Sequence, residues 1–353
     1  MRFPSTVSSL LAFIAITIAM AGQSLATDYQ AGVRQITVPS QGRDIDINVT
    51  IWYPASPGGE AVSLGENIFF EGTEAFMGAP VSDGQHPLIL LSHGAGLSGR
   101  AEAMSWIAAP LAASGYIVAA PTHPGNTGPD RSAAETMKLW LRPADLSATL
   151  DAIEKDATLS AHIHPRKRGV LGLSMGGNTA LLMAGARLDP DLWANYCDTN
   201  ERNPSLCGWV RGSGVDLHAM DHDAAGRDNS DDRIRFALAI DPAPADMFAL
   251  ESLAEVQIPV TLVNLGKEVD IPATVRGSSI AGAIPGAGYK MVEEADHASM
   301  FALCKPGAAE IAVEEGIEDK ICTGPDEQAR SVTHARLIEI VTTALDQAFD
   351  SEE

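Results

Sequence analysis

Gly172-Leu173-Ser174-Met175-Gly176 sets a serine between two glycines, with one residue separating it from each. A serine hydroxyl is a poor nucleophile until a base takes its proton, and its attack on an acyl carbon makes an oxyanion that needs preorganised donors. The flanking residues fit that task. Gly169-Val170-Leu171 reads as a buried strand, and Gly176-Gly177 opens a helical run from Thr179 to Leu188. Strand, sharp turn and helix lift a serine Oγ above a sheet at a helix N-terminus, and glycines beside it leave room for the tight backbone. The G-x-S-x-G string is only moderately informative in a glycine-rich chain; its place between strand and helix carries the expectation.

The other parts of such a site can be sought in the same way. Leu88 to Leu91 runs into Ser92-His93-Gly94-Ala95-Gly96, a glycine-rich turn after a strand. It is expected to offer the Ala95 N–H to an oxyanion, with the Met175 N–H as the second donor; the competing assignment is an ordinary strand-to-helix turn. A chain order of nucleophile, acid, histidine leaves His218, His222, His297 and His334 as bases. His218 and His222 lie in a polar stretch and His334 in the last helical pattern. His297 follows the short run Tyr289 to Val292 in the loop Glu294-Ala295-Asp296-His297-Ala298, and is the expected base. For the acid, Asp241 closes the run Phe236 to Ile240, while Glu268 and Asp270 follow Val260 to Val263. Either strand end could aim a carboxylate at His297, and the spacing does not separate the three.

The elements that must hold these residues are an entry hairpin and a series of buried strands. From Val33 to Tyr53, Ile45, Ile47, Val49 and Ile51 alternate with polar neighbours after a turn at Ser40-Gln41-Gly42-Arg43, the pattern of an antiparallel hairpin. Short apolar runs at 88–91, 116–120, 169–173, 236–240 and 260–263 suit strands buried on both faces. Helical patterns lie between them, with Leu146, Leu150 and Ile153 on one face and Leu337, Val341 and Leu345 in the last helix. Buried strand alternating with amphipathic helix implies α/β class and a mostly parallel sheet with right-handed crossovers. One domain over residues 27–353 is expected. The segment 189–232 breaks the rhythm: it is polar, carries Cys197, Cys207 and the acidic cluster Asp221, Asp223, Asp228, Asp231 and Asp232, and reads as an insertion. It could be a disulfide-pinned rim over a site or a solvated excursion. Calcium is disfavoured, because the acidic spacing matches no EF-hand loop.

Of the 353 residues, 46 are acidic and 24 are Lys or Arg, giving a formal charge of −22 that argues against nucleic acid as a partner. Arg2, the apolar run Leu10 to Ala21 and the small residues at Ser24-Leu25-Ala26 read as a secretory signal peptide over residues 1–26, with cleavage after Ala21 as the alternative. No later stretch is long and apolar enough for a membrane anchor, so a periplasmic or secreted location is expected. The four cysteines suit an oxidising compartment, with the sequence-local pairs Cys197 with Cys207 and Cys304 with Cys322 favoured. Zinc is the weaker alternative, since there is no C-x-x-C pair and the cysteines form two distant groups. Neither a metal nor an organic cofactor is implied.

Together, the run Leu90 to Gly96, Gly115 to Ala120, the Ser174 turn, Ile240-Asp241-Pro242 followed by Met247-Phe248, and the His297 loop resemble the α/β-hydrolase superfamily. The resemblance is closer to bacterial relatives of platelet-activating-factor acetylhydrolase, often described as predicted dienelactone hydrolases, and it covers most of the chain. It implies an α/β-hydrolase fold, with an N-terminal antiparallel hairpin on a mostly parallel sheet and helices on both faces. In the acetylhydrolases the acid follows the strand after the nucleophile helix, before a Met-Phe pair, which implies Asp241. Dienelactone hydrolases proper use a cysteine nucleophile and take the acid from the next strand, where Asp270 sits; here the nucleophile position is Ser174. The order of expectation is therefore Asp241, Asp270, Glu268. The implied function is a secreted serine hydrolase that cleaves small-molecule or short-chain carboxylic esters through an acyl-enzyme. A lipase or polyester hydrolase would need an apolar patch that 5% aromatic residues and an acidic insertion do not favour. A binding protein that kept the fold without turnover is opposed by the full serine, histidine and oxyanion set.

Overall fold

The computed structural model describes residues 29–126, 130–315, 321–322 and 327–350; the expected leader at 1–26 lies outside them. The hairpin pattern becomes β1 (Gln30–Pro39) and β2 (Asp46–Ala55), paired antiparallel with Val33 opposite Trp52. Two short strands follow, β3 (Glu60–Leu64) at the sheet edge and β4 (Thr73–Met77) beside it. The buried runs form β5 (His86–Ser92), β6 (Ile117–Pro121), β7 (Ile163–Leu173), β8 (Phe236–Ile240) and β9 (Val260–Leu265), and the short run before the His297 loop forms β10 (Gly288–Val292) at the far edge of the sheet. All ten join one sheet in the order β10-β9-β8-β7-β5-β6-β2-β1-β4-β3. From β6 to β10 neighbouring strands are parallel, and β2 joins β6 antiparallel. This is the expected α/β architecture, mostly parallel with an antiparallel N-terminal part.

The helices in chain order are α1 (Ser105–Ala113), α2 (Ala133–Met137), α3 (Leu141–Lys155), α4 (Met175–Met183), α5 (Pro190–Ala194), α6 (Pro204–Gly212), α7 (Leu250–Leu253), α8 (Gly277–Ala283), α9 (Ala308–Glu314) and α10 (Glu327–Asp350). They cover both faces because strand side chains alternate: Leu88 and Leu90 of β5 pack with α3 and α4, whereas Ile89 and Leu91 pack with α1 and α10. An unbroken apolar run is what a strand between two cores requires. Among the described residues no helix is long and apolar enough to cross a membrane.

Three details differ from the sequence expectations or extend them. β3 and β4 have no counterpart in the sequence pattern, since their mixed, exposed and half-buried residues at and next to the sheet edge carry little alternation. The helix after Ser174 stops at Met183 rather than running to Leu188, because Gly185 takes φ +104 and the Ala186 N–H folds back to Leu181 O. The segment 189–232, between α4 and β8, holds α5 and α6, and Cys207 of α6 is bonded to Cys197. Cys304 is bonded to Cys322, so both disulfides follow the sequence-local pairing.

Candidate active site

The sheet delivers three side chains to one place at its C-terminal edge. Ser174 follows β7 and Asp241 follows β8; they are the non-glycine residues with positive φ among the described residues, at 55° and 44°. Such backbone is strained for an L residue and persists only where the surroundings over-determine it. Here the Ser174 N–H donates to Ile240 O (2.9 Å), and Ser174 O accepts from Gly177 N (2.8 Å) and Ala243 N (2.9 Å). The flanking glycines are needed for close approach: a Cβ on Gly172 would lie 1.8 Å from Gly176 O, and one on Gly176 1.8 Å from Ser92 O.

His297 opens a 3-10 turn, His297–Met300, fixed by a reciprocal cap in which Asp296 Oδ1 accepts from Ser299 N (2.9 Å) and Asp296 N donates to Ser299 Oγ (3.1 Å). His297 Nε2 lies 3.1 Å from Ser174 Oγ, and Nδ1 lies 2.9 Å from Asp241 Oδ2. The imidazole is 45% exposed and the Asp241 side chain 1%. A buried carboxylate needs its lone pairs satisfied. Asp241 Oδ1 accepts from Leu265 N and from Asn264 Nδ2, both at 2.8 Å. Asn264 is itself held by Gly277 N at the start of α8 and by Tyr289 OH.

Ser174, His297, Ala95 and Met175 line a cavity of about 730 Å³. Met175 is the first residue of α4, so its N–H has no partner within the helix. The same cavity is lined by Leu206 and Trp209 of α6, with the Arg131 guanidinium 4.6 Å over the Trp209 ring. A second cavity of about 40 Å³ adjoins Ser174 and His297 and is otherwise lined by residues that include Gly94, Leu173, Met300 and Phe301.

Residues 88–305 match the model of the alpha/beta hydrolase family, which is more than half of the chain. The chain belongs to that family. No curated protein matches the sequence. Among solved structures, this alpha/beta hydrolase is similar to a ferulic acid esterase from Streptomyces cinnamoneus, with TM-score 0.58, 18% identity and 91% of each chain covered. It is also similar to a dienelactone hydrolase from Anabaena variabilis, with TM-score 0.45, 14% identity, and 82% of this chain and 96% of that one covered. At 18% identity the likeness to the esterase is one of fold.

Within the hydrolase fold, Ser174, His297 and Asp241 are brought together, whereas the two other candidate acids are not. Glu268 accepts hydrogen bonds from Ser278 Oγ (2.9 Å) and Tyr289 OH (3.1 Å). Burial, followed by that bond to Glu268, pushes the Tyr289 phenol up to about 12. Asp270 is exposed on the cavity wall and its N–H donates to Lys267 O. His218 pairs with Asp198 (2.9 Å) and His334 donates to Ser299 O and Phe301 O (3.0 Å each), so neither reaches the serine. Sequence reasoning missed Asn264, whose signal was a polar residue near the end of the apolar run Val260 to Leu265. It also missed Leu206, Trp209 and Arg131, which look like ordinary surface residues until α6 is placed over the cavity.

Proposed function

We propose that this alpha/beta hydrolase is a secreted serine esterase that cleaves small carboxylic esters with short acyl groups. The observation that carries the proposal is the continuous line from Asp241 Oδ2 to His297 Nδ1 (2.9 Å) and from His297 Nε2 to Ser174 Oγ (3.1 Å). Asp241 keeps the His297 proton on Nδ1 and leaves Nε2 free to accept the serine proton. As that proton moves to Nε2, Ser174 Oγ bonds to the ester carbonyl carbon and the carbonyl oxygen becomes an oxyanion facing the Ala95 and Met175 N–H groups. Collapse of this intermediate breaks the bond to the alkoxy oxygen, which leaves with the proton from His297. Water, deprotonated by His297, then attacks the acyl-enzyme, and Ser174 departs with that proton.

The two cavities support the choice of ester. We assign the 40 Å³ space beside Ser174 to a short acyl chain and the 730 Å³ cavity to the alcohol portion. The leader expected at 1–26 and the two disulfides support an oxidising compartment outside the cytoplasm.

The test is hydrolysis of p-nitrophenyl esters from acetate to octanoate, with tributyrin emulsion alongside. kcat/KM should be greatest for acetate or propionate and fall with chain length, and Ser174→Ala should abolish turnover. Wild-type rates in Ser174→Ala would overturn the proposal; a preference for the emulsion would replace it with a lipase.

A further inference from the structure

Behind the Ser92 to Gly96 loop lies a group of polar side chains that the proposed reaction does not use. Ser92, His93, His123 and Asp145 are 0% exposed and Arg142 is 1% exposed. Asp145 of α3 accepts from Arg43 (3.2 Å to Nη2) and from His123 Nδ1 (2.8 Å), which fixes the proton of His123 on Nδ1. His123 Nε2 then accepts from Ser92 Oγ (3.0 Å). The backbone N–H of His123 donates to His93 Nε2 (3.0 Å), so the proton of His93 must sit on Nδ1, where it donates to Gly94 O (2.7 Å). Arg142 donates to His93 O, and its Nη1 also donates to Asn126 Oδ1 (3.3 Å). Desolvation first, and then the neighbouring His123 and the Arg142 guanidinium, against which a second charge would be repelled, keep the His93 imidazole neutral by holding its pKa well below the usual histidine value.

The consequence comes from peptide geometry. Gly94 C=O and Ala95 N–H belong to one planar trans unit and point in opposite directions. A donor that fixes the carbonyl therefore fixes the N–H, and it also polarises the unit toward a stronger donor. We propose that His93 is a positioning residue for ester hydrolysis: its Nδ1–H holds the Gly94 carbonyl and so aims the Ala95 N–H at the oxyanion. The role rests on the assignment of Ala95 as an oxyanion donor. His123 and Asp145 in turn hold His93 in the tautomer this needs, and Arg142 anchors the carbonyl one residue earlier.

Two substitutions separate the two bonds of the imidazole. His93→Gln keeps an acceptor near the Nε2 position for the His123 N–H but offers nothing to Gly94 O; His93→Asn does the reverse, placing its amide near the Nδ1 position. In the full chain, with p-nitrophenyl acetate, His93→Gln should keep its Tm while kcat falls about 10- to 100-fold and KM stays within about 3-fold, the signature of a donor that matters only in the transition state. Inhibition by a trifluoromethyl ketone, which forms an oxyanion on the serine, should weaken by the same factor. His93→Asn should recover most of the rate despite a lower Tm. Equal kcat in the two variants, a rate loss that follows Tm, or unchanged ketone affinity would overturn the role. Ser174→Ala as a control keeps the outcomes apart: turnover in that variant contradicts the esterase assignment, whereas an inactive Ser174→Ala beside a fully active His93→Gln contradicts only the positioning role.

Discussion

Asp241 reaches His297 Nδ1 at 2.9 Å because its own backbone and its neighbours aim it there. Three carboxylates lie at the ends of two adjacent strands, and side-chain type cannot tell which will meet an imidazole tens of positions later. Only the placed backbone, with Asp241 at positive φ and its Oδ1 between Leu265 N and Asn264, directs one of them to His297. Asp241→Asn should lose about 10⁴-fold in kcat through the wrong histidine tautomer, while Asp270→Asn should stay within a few-fold of wild type. Steady-state kinetics on an acetate ester checks both, and a reversed order would move the acid to β9. Asn264→Leu leaves the carboxylate one buried donor short, and kcat should fall about 10-fold or more with a smaller change in KM. Ser174 and His297 were legible because a glycine-flanked turn and a loop after a short strand leave local marks. Asn264 left only a polar letter near the end of an apolar run.

Elements differ in the same way. β5 to β9 were visible because a strand between two cores must be apolar on both faces, whereas β3 and β4, at and next to the sheet edge, are under no such demand. The segment 189–232 is recognisable as a break, but its sequence does not show that α6 forms a wall of the cavity. The Cys197–Cys207 disulfide anchors that wall. Replacing both cysteines by serine should cost about 2–3 kcal/mol of stability. It should also raise KM for esters with bulky alcohols more than for methyl esters, because Leu206 and Trp209 lose a fixed position while Ser174 keeps its own. Denaturation midpoints and a two-substrate comparison test this; equal KM changes would show that α6 does not face the alcohol.

For the molecule as a whole, the charge of −22 gave no indication of the reaction, and the ionisable groups that matter to stability are buried. Desolvation holds His93 and His123 well below the usual histidine value and His334 at about 4. Each is neutral in the fold yet takes up a proton on unfolding below about pH 6.5, so the folded state loses about 1.4 kcal/mol per imidazole per pH unit down to the folded pKa. Asp145 acts in the opposite sense: burial raises it to about 6, so the fold itself gains a proton in the lower part of this window and offsets one imidazole. Stability should be greatest above about pH 6.5 and decline from there to about pH 5. Urea titrations across that range test the sign; a midpoint that rises on acidification would contradict neutral burial of the three histidines.

The central claim, that Ser174 becomes acylated, has a direct measurement. The full chain is mixed with p-nitrophenyl acetate, quenched in acid within the first turnovers, digested, and the peptide spanning Ser174 is weighed. The expected result is a single acetyl adduct on Ser174 that appears with a burst of p-nitrophenol and is missing in Ser174→Ala. Steady ester turnover with that peptide unmodified, or an adduct carried by another residue, would contradict the account.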